Sequence, residues 1–195
     1  LLRMEGLLPS FFWFEQRRPG ARELVLLACL CGLGVAGRGA FFWAPQCKPV
    51  TALTILTGVS LGGQAGFLVG AVTMLVSNLF FGQGPWTPWQ MFAMGCIGGL
   101  AGSLFSRRGR RPRKGMLCLF GFLAAVVLYG AVMNTASVLL WSHSLQWELI
   151  AAACAAGLPM DLLHGGSTAL LLYLLADPVQ GKLDRMREKY GWGRG

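Results

Sequence analysis

The chain has 195 residues, of which 54% are hydrophobic and only 13% carry a charge, and its formal net charge is +9. An ordinary soluble domain has about 25% charged residues, so this composition excludes a soluble domain with a hydrated surface. A basic chain raises the possibility of nucleic-acid binding, but here the basic residues lie in short stretches between apolar segments. We therefore expect one membrane domain, residues 1–195, with no nucleic-acid partner.

Six apolar segments have the length and composition expected of membrane helices. The predicted helices are Glu23–Phe42, Val50–Leu61, Gln64–Phe81, Trp89–Phe105, Gly115–Leu139 and Gly157–Leu175. The second is short and ends among glycines, so it could be tilted, broken or partly re-entrant. Leu145–Ala156 allows a further short helix, and Asp184–Tyr190 reads as a basic helix at the inner membrane surface. The domain thus divides into an N-terminal segment 1–22, a six-helix core 23–176 and a tail 177–195.

The basic residues are distributed very unevenly between the connections. With the N-terminus in the cytoplasm, almost all of them are cytoplasmic: Arg3, Arg17, Arg18 and Arg22, then Arg107, Arg108, Arg110, Arg111, Arg113 and Lys114, then Lys182, Arg185, Arg187, Lys189 and Arg194. Only Arg38 and Lys48 fall on the other side. The positive-inside rule therefore predicts an even number of spans, with both termini cytoplasmic, in a bacterial-type plasma membrane. Segment 1–20 is interrupted by charges and does not resemble a signal peptide.

The three predicted outer connections are rich in aromatic residues and proline. They are Arg38–Lys48, Gly82–Gln90 and Leu140–Gly157, and they hold Trp43, Trp86, Trp89, Trp141 and Trp147. Stiff aromatic loops with a few polar groups suit a pocket for a small molecule. Tryptophan also anchors proteins at membrane interfaces, so a one-sided anchor is the alternative.

Small residues recur every four positions on several helices, a pattern that lets helix backbones approach closely. The first helix has Ala28, Gly32, Ala36 and Ala40, and further pairs are Gly66 with Gly70, Gly95 with Gly99 and Gly98 with Gly102. We expect the pairs in the third and fourth helices to pack inside this chain. The longer stripe on the first helix is a candidate surface for a partner subunit.

Few polar residues lie near the predicted spans, and all fall toward the outer half: Arg38, Asn78, Asn134, Asp161 and His164. Ionisable groups inside membranes are costly, so each is a functional candidate. Asp161 and His164 are three residues apart and share a helix face. They could contact a ligand, relay a proton, or form a structural pair that fixes the sixth helix against Arg38.

The sequence contains no motif for ATP hydrolysis or other catalysis. The basic stretch Gly109–Gly115 lacks the pattern of a phosphate-binding loop, and no protease or hydrolase motif occurs. The six cysteines match no zinc spacing. We therefore expect neither an enzyme nor a bound metal or cofactor, and any active transport needs ATPase partners.

Three stretches resemble a known family: Phe41–Pro49 (FFWAPQCKP), Ser77–Met91 (SNLFFGQGPWTPWQM) and Leu158–His164 (LPMDLLH). They are similar to the substrate-specific S components of energy-coupling-factor (ECF) vitamin transporters, with the cobalamin type as the nearest group. The resemblance covers residues 23–175. It implies an all-α bundle of six transmembrane helices with both termini cytoplasmic, and an outer pocket for a vitamin. It also implies a transmembrane coupling subunit and two ATPase subunits as partners, beside membrane lipid.

The resemblance also implies roles for particular residues. On the first helix, Ala28, Gly32 and Ala36 match the alanine stripe that docks on the coupling subunit, with glycine in place of one alanine. The expected substrate-binding residues are Arg38, Phe42, Trp43, Asn78, Gln83, Trp86, Trp89, Gln90, Asn134, Asp161 and His164. Cobalamin or a related cobamide is the expected cargo. The alternatives are an S component for a flavin, a queuosine-like base or another vitamin, a membrane scaffold without a ligand, and a small intramembrane enzyme.

Overall fold

The computed structural model describes residues 20–106, 112–142 and 146–190, which are almost entirely helical. Residues 1–19 of the N-terminal segment and the Arg107–Arg111 part of the basic connection lie outside the described residues. The helices are α1 (Ala21–Ala40), α2 (Pro49–Leu61), α3 (Gly63–Phe81), α4 (Thr87–Phe105), α5 (Lys114–Leu123), α6 (Gly130–Ser142) and α7 (Trp147–Tyr190). A π-helical segment, Ala124–Tyr129, joins α5 to α6 without a break. The described residues therefore form six helical rods, as predicted.

Four of these rods are long and apolar enough to cross a membrane, counting only the described residues. They are Ala21–Ala40, Gly63–Phe81, Lys114–Ser142 and Trp147–Lys189. The α2 helix is apolar but has only 13 residues, and α4 has 19 residues but does not meet the same criterion. The bundle is thus that of a multi-pass membrane protein, while six complete crossings and cytoplasmic termini stay predictions.

The α2 helix is continuous, not broken, and forms the centre of the bundle. Every residue from Val50 to Ser60 is buried, because α3, α4 and α7 all pack around it. Pro49 at its first turn fixes a helical φ where no N–H partner is needed. At its other end Gly62 has φ of 101°, a backbone conformation that favours glycine. This enclosure explains why a short helix is stable at this place.

Glycines let α2, α3 and α4 approach to backbone contact. A Cβ at Gly66 would lie 2.5 Å from the carbonyl oxygen of Gly98 and 2.7 Å from the Cα of Gly58, and one at Gly70 would lie 2.6 Å from the Met94 carbonyl oxygen. Real Cβ atoms do not tolerate such distances. The prediction that the small residues of α3 and α4 serve packing within the chain is confirmed.

The last helix differs most from prediction. The short helix at 145–156, the sixth span and the basic tail helix form one continuous helix of 44 residues, with Pro159 and Pro178 inside it. Its alanine-rich start favours helix, and its antiparallel packing on α5 and α6 holds it across both prolines. The tail is not separate from the core, because Leu183 is buried in a cluster with Leu26 and Leu27 of α1.

Candidate functional site

The contacts between helices place the first two predicted outer connections at the same end of the bundle. Arg38 at the end of α1 contacts Ser77 near the end of α3, and the Ser167 hydroxyl donates to the Gln46 carbonyl at 3.0 Å. The antiparallel α6 and α7 bring the third connection to this end, because Asn134 of α6 contacts Asp161 of α7. We call this end of the bundle, together with the adjacent half of the helices, the loop end.

Arg38 ties α1 to α3 by polar contacts. Its Nη1 donates to Ser77 Oγ at 2.6 Å and to Asn78 Oδ1 at 2.7 Å, and its guanidinium lies 5.6 Å from the centre of the Phe81 ring. All of these partners are electrically neutral. The positive charge of Arg38 is therefore solvated by dipoles and a ring face, and no described acid pairs with it.

Thr87 is the centre of a second set of hydrogen bonds, which fixes the connection between α3 and α4. The fully buried Asn78 donates through Nδ2 to Thr87 Oγ1 at 2.9 Å and to Gln90 Oε1 at 2.7 Å. Thr87 in turn donates to Gln83 Oε1 at 2.8 Å. The sequence analysis named Asn78, Gln83 and Gln90 but missed Thr87. A hydroxyl at the first position of a helix after a tight loop is the signal that could have found it.

The aromatic residues of the loop end divide into two groups. Trp86 is 39% exposed and its indole lies directly against Gly84, where an added Cβ would push against the ring; Trp89 is partly buried. By contrast Trp43 is 81% exposed, and Phe42 is exposed although its ring stacks on Phe81 at 5.6 Å. The first pair suits a binding wall and the second suits the membrane interface.

A polar centre lies deeper, where α2, the π-helical segment and α7 meet. His164 is 1% exposed, and its Nε2 is 2.8 Å from Thr51 Oγ1. The buried ring of Tyr129 meets the His164 ring edge to face at 5.0 Å, and its hydroxyl lies beside the Gln90 side chain. His164 Nδ1 has no hydrogen-bond partner. Tyr129 therefore connects this centre to the hydrogen bonds around Thr87.

Asp161 and Asn134 form a third polar contact, between α6 and α7. Asn134 Nδ2 donates to Asp161 Oδ2 at 3.0 Å, and Gly130 lies against the same carboxylate. Asp161 and His164 thus have different partners, and the hydrogen bonds described for Arg38 go to α3 instead. The interpretation that these two residues fix the sixth helix against Arg38 is therefore not supported by the contacts, while the ligand-contact interpretation stays a prediction.

Four residues that the sequence analysis did not select belong to these clusters: Thr51, Ser77, Thr87 and Tyr129. Tyr129 is the most informative, because π-helical segments are rare and often occur at functional sites. Its position was visible as a lone tyrosine in an apolar run, but the sequence does not reveal the π-helical turn. Within the described ranges, no three His, Cys, Asp or Glu side chains are close enough to hold a metal ion.

The small-residue stripe of α1 faces away from the bundle. Ala28, Gly32 and Ala36 are exposed, and a Cβ built on Gly32 meets no atom within 4 Å. The opposite face of α1 carries the buried Leu26, Leu27 and Leu30. The stripe is thus a flat surface open to lipid or to a partner.

The fold and the site together define an all-α, multi-pass membrane protein with a polar and aromatic cluster at one end. Comparison with known families then places it: the model of the ECF-type riboflavin transporter S component family matches residues 43–180. The chain belongs to this family of transporter S components. S components bind the substrate and are not themselves catalytic. The prediction of an S component is confirmed. The finer prediction of a cobalamin-type S component is not confirmed, since the description of the matching family names riboflavin.

A similar curated protein is the UPF0397 protein of Vibrio atlanticus (strain LGP32). It is 32% identical over 113 residues, which are 55% of this chain and 62% of that relative. The chain therefore covers less than two thirds of the relative's length. No solved structure matches.

Proposed function

We propose that this chain captures a ring-bearing vitamin at its loop end and delivers it across the membrane as the substrate-binding subunit of an ECF importer. The observation that carries the proposal is the convergence of Trp86, Gln90 and Tyr129 with the polar side chains around them at one end of an S-component bundle. Aromatic side chains give a flat ring contact area at low entropic cost, and a few placed polar groups fix its orientation.

Two ligands have support of different kinds. Riboflavin is favoured by the description of the matching family. Cobalamin is favoured by the likeness of the Ser77–Met91 stretch to cobalamin-type S components. Both carry a large ring system with amide or imide groups at its edge, which the Gln83, Gln90 and Asn134 amides could meet.

The proposed transport step needs partner subunits, because the chain has no ATPase motif. The exposed stripe Ala28, Gly32 and Ala36 would dock on a transmembrane coupling subunit, and two ATPases would drive that subunit. The bundle would then topple in the membrane and release the vitamin inside. Its compact helix packing suits movement as one body, because the close contacts between α2, α3 and α4 leave no room for sliding.

A binding screen tests the proposal. The protein, purified in dodecyl maltoside, is titrated calorimetrically with riboflavin, cobalamin and biotin, the last lacking a large planar ring. We expect saturable one-to-one binding of riboflavin or cobalamin and none of biotin. Binding of biotin alone would refute the ring-vitamin assignment, and no heat from any of the three would favour the scaffold alternative.

Matched variants locate the bound ligand. Gln90→Ala removes an amide from the loop end, while Ser103→Ala removes an exposed hydroxyl at the opposite end, where it donates to the Gly99 carbonyl of its own helix. Affinity should fall in the first variant and stay unchanged in the second. Equal effects of both substitutions on the affinity would show that the ligand does not bind at the loop end.

A further inference from the structure

The loop end contains two positive charges that no described carboxylate neutralises. Arg38 bonds to neutral groups, and the Nζ of Lys48 bonds to the Gln46 side-chain oxygen at 3.4 Å. Both side chains are partly buried. Buried charges in proteins are normally paired, because removing a lone charge from water is expensive.

The residues on either side of Lys48 contact two other helices, α1 and α7. Pro49, the next residue, is 3.3 Å from the position a Cβ would take on Gly37 of α1, and Thr51, three residues on, contacts His164 of α7. Gln46, which holds the ammonium, is itself fixed to Ser167 of α7. Lys48 therefore lies about one helical turn along the chain from the Thr51–His164 contact.

The two cations act on one another. Burial, and after it the charge of Arg38, lowers the pKa of the Lys48 ammonium, and the charge of Lys48 reaches His164 in turn. The carboxylate of Asp161, an acid of the neighbouring polar contact, is turned toward Asn134 and Gly130. The cluster is thus electropositive and lacks a counter-charge of its own.

We propose that Lys48, supported by Arg38, is an anion-recognition site, and that the ligand of the loop end carries a phosphate or carboxylate group. This inference rests on the proposed function but sharpens it, because it concerns the charge of the ligand and not its ring. An anion between Lys48 and Arg38 would supply the missing counter-charge and form charge-assisted hydrogen bonds. A lipid headgroup and a soluble phosphorylated ligand offer the same chemistry.

The test uses ligand pairs that differ by a single phosphate, riboflavin against flavin mononucleotide and cobinamide against cobinamide phosphate. For the ring that binds, we expect the phosphorylated member to bind at least tenfold more tightly to the protein in dodecyl maltoside. Lys48→Met should abolish this preference while changing the affinity of the unphosphorylated member less than twofold. The control Lys114→Met, whose lysine pairs with Asp177 at 2.5 Å at the opposite end, should keep it.

Equal affinities within each pair, or a preference that survives in Lys48→Met, would overturn the inference. If neither ring compound binds, the proposed function fails. The anion site is then tested on its own with inorganic phosphate, which must raise the thermal midpoint of unfolding of the wild type but not that of Lys48→Met. Repeating the titrations in phosphatidylglycerol nanodiscs separates the two sources. If a lipid headgroup occupies Lys48, the preference for the phosphorylated compound is suppressed in the nanodiscs. If the natural ligand is a soluble phosphorylated compound, the preference persists in the nanodiscs.

Discussion

Single side chains at the loop end have separable roles. Trp86 offers a partly exposed indole held against Gly84, whereas Trp141 is 82% exposed at the same end, a placement that suits the membrane interface. The two tryptophans are chemically identical and differ in how firmly the surrounding backbone holds them.

Trp86→Ala should weaken vitamin binding by about tenfold, since a lost aromatic contact is worth roughly 0.5–1.5 kcal/mol beyond its buried area. The thermal midpoint of unfolding should stay within a few degrees. Calorimetric titration of the purified variant measures the affinity, and Trp141→Ala serves as the matched control with unchanged binding. An unaltered affinity in Trp86→Ala would place this loop outside the pocket.

Thr87→Val removes one hydroxyl at nearly constant volume and leaves the Asn78 and Gln83 side chains without their shared partner. We expect faster amide exchange across residues 82–89 and an affinity about tenfold lower, because a broken buried hydrogen bond costs about 1–3 kcal/mol. Thr87→Ser should restore both properties. Thr54→Val is the control, as the buried Thr54 hydroxyl has no partner to lose. Wild-type exchange in Thr87→Val would show that Thr87 does not hold the loop.

At the scale of elements, sequence patterns located all six rods but not their continuity. Charge distribution and apolar length identified α1, α3 and α4 within two residues at each end, since these helices end at glycines, prolines or loops. The continuity of α7 depends on tertiary packing that holds the helix across Pro159 and Pro178. Local sequence signals argue against a continuous helix at these prolines. The polar partners were equally hard to predict. Asp161 could be selected as an acid near a predicted span, but its contact with Asn134 across the hairpin could not be foreseen.

The contact between α3 and α4 depends on glycine more than on any large side chain. Gly98→Ala would place its Cβ 2.7 Å from the Thr54 side chain and 2.5 Å from the Gly66 carbonyl carbon. We expect it to destabilise the protein by at least about 2 kcal/mol through overpacking. Gly32→Ala, in open space on α1, should raise stability slightly because alanine favours helix by roughly 0.8–1.0 kcal/mol. Thermal unfolding in detergent compares them, and equal midpoints would contradict the packing account.

At the scale of the whole molecule, the two surfaces that the proposed function requires are separate. The proposed ligand-binding groups lie at the loop end, whereas the exposed stripe of α1 runs along the side of the bundle. Binding and delivery should therefore be separable by mutation.

Ala28→Trp and Ala36→Trp should abolish vitamin uptake by cells carrying the complete transporter, because a large side chain prevents close helix approach. Ligand affinity of the purified variants should stay at the wild-type value. Leu170→Trp, at a position 59% exposed on α7, adds the same bulk on a different helix and should leave uptake intact. Undiminished uptake in both alanine variants would show that the coupling subunit docks elsewhere.

The continuity of α7 has a mechanical consequence. At 1.5 Å per residue its 44 residues extend about 66 Å, roughly twice the hydrocarbon thickness of a bilayer. Because Leu183 is fastened to α1, the tail rotates with the bundle as a lever arm. A tilt of about 30° would sweep its tip through roughly 17 Å, taking half that length as the arm. A spin label on the exposed Lys189 would thus convert a change of orientation into a distance that can be measured.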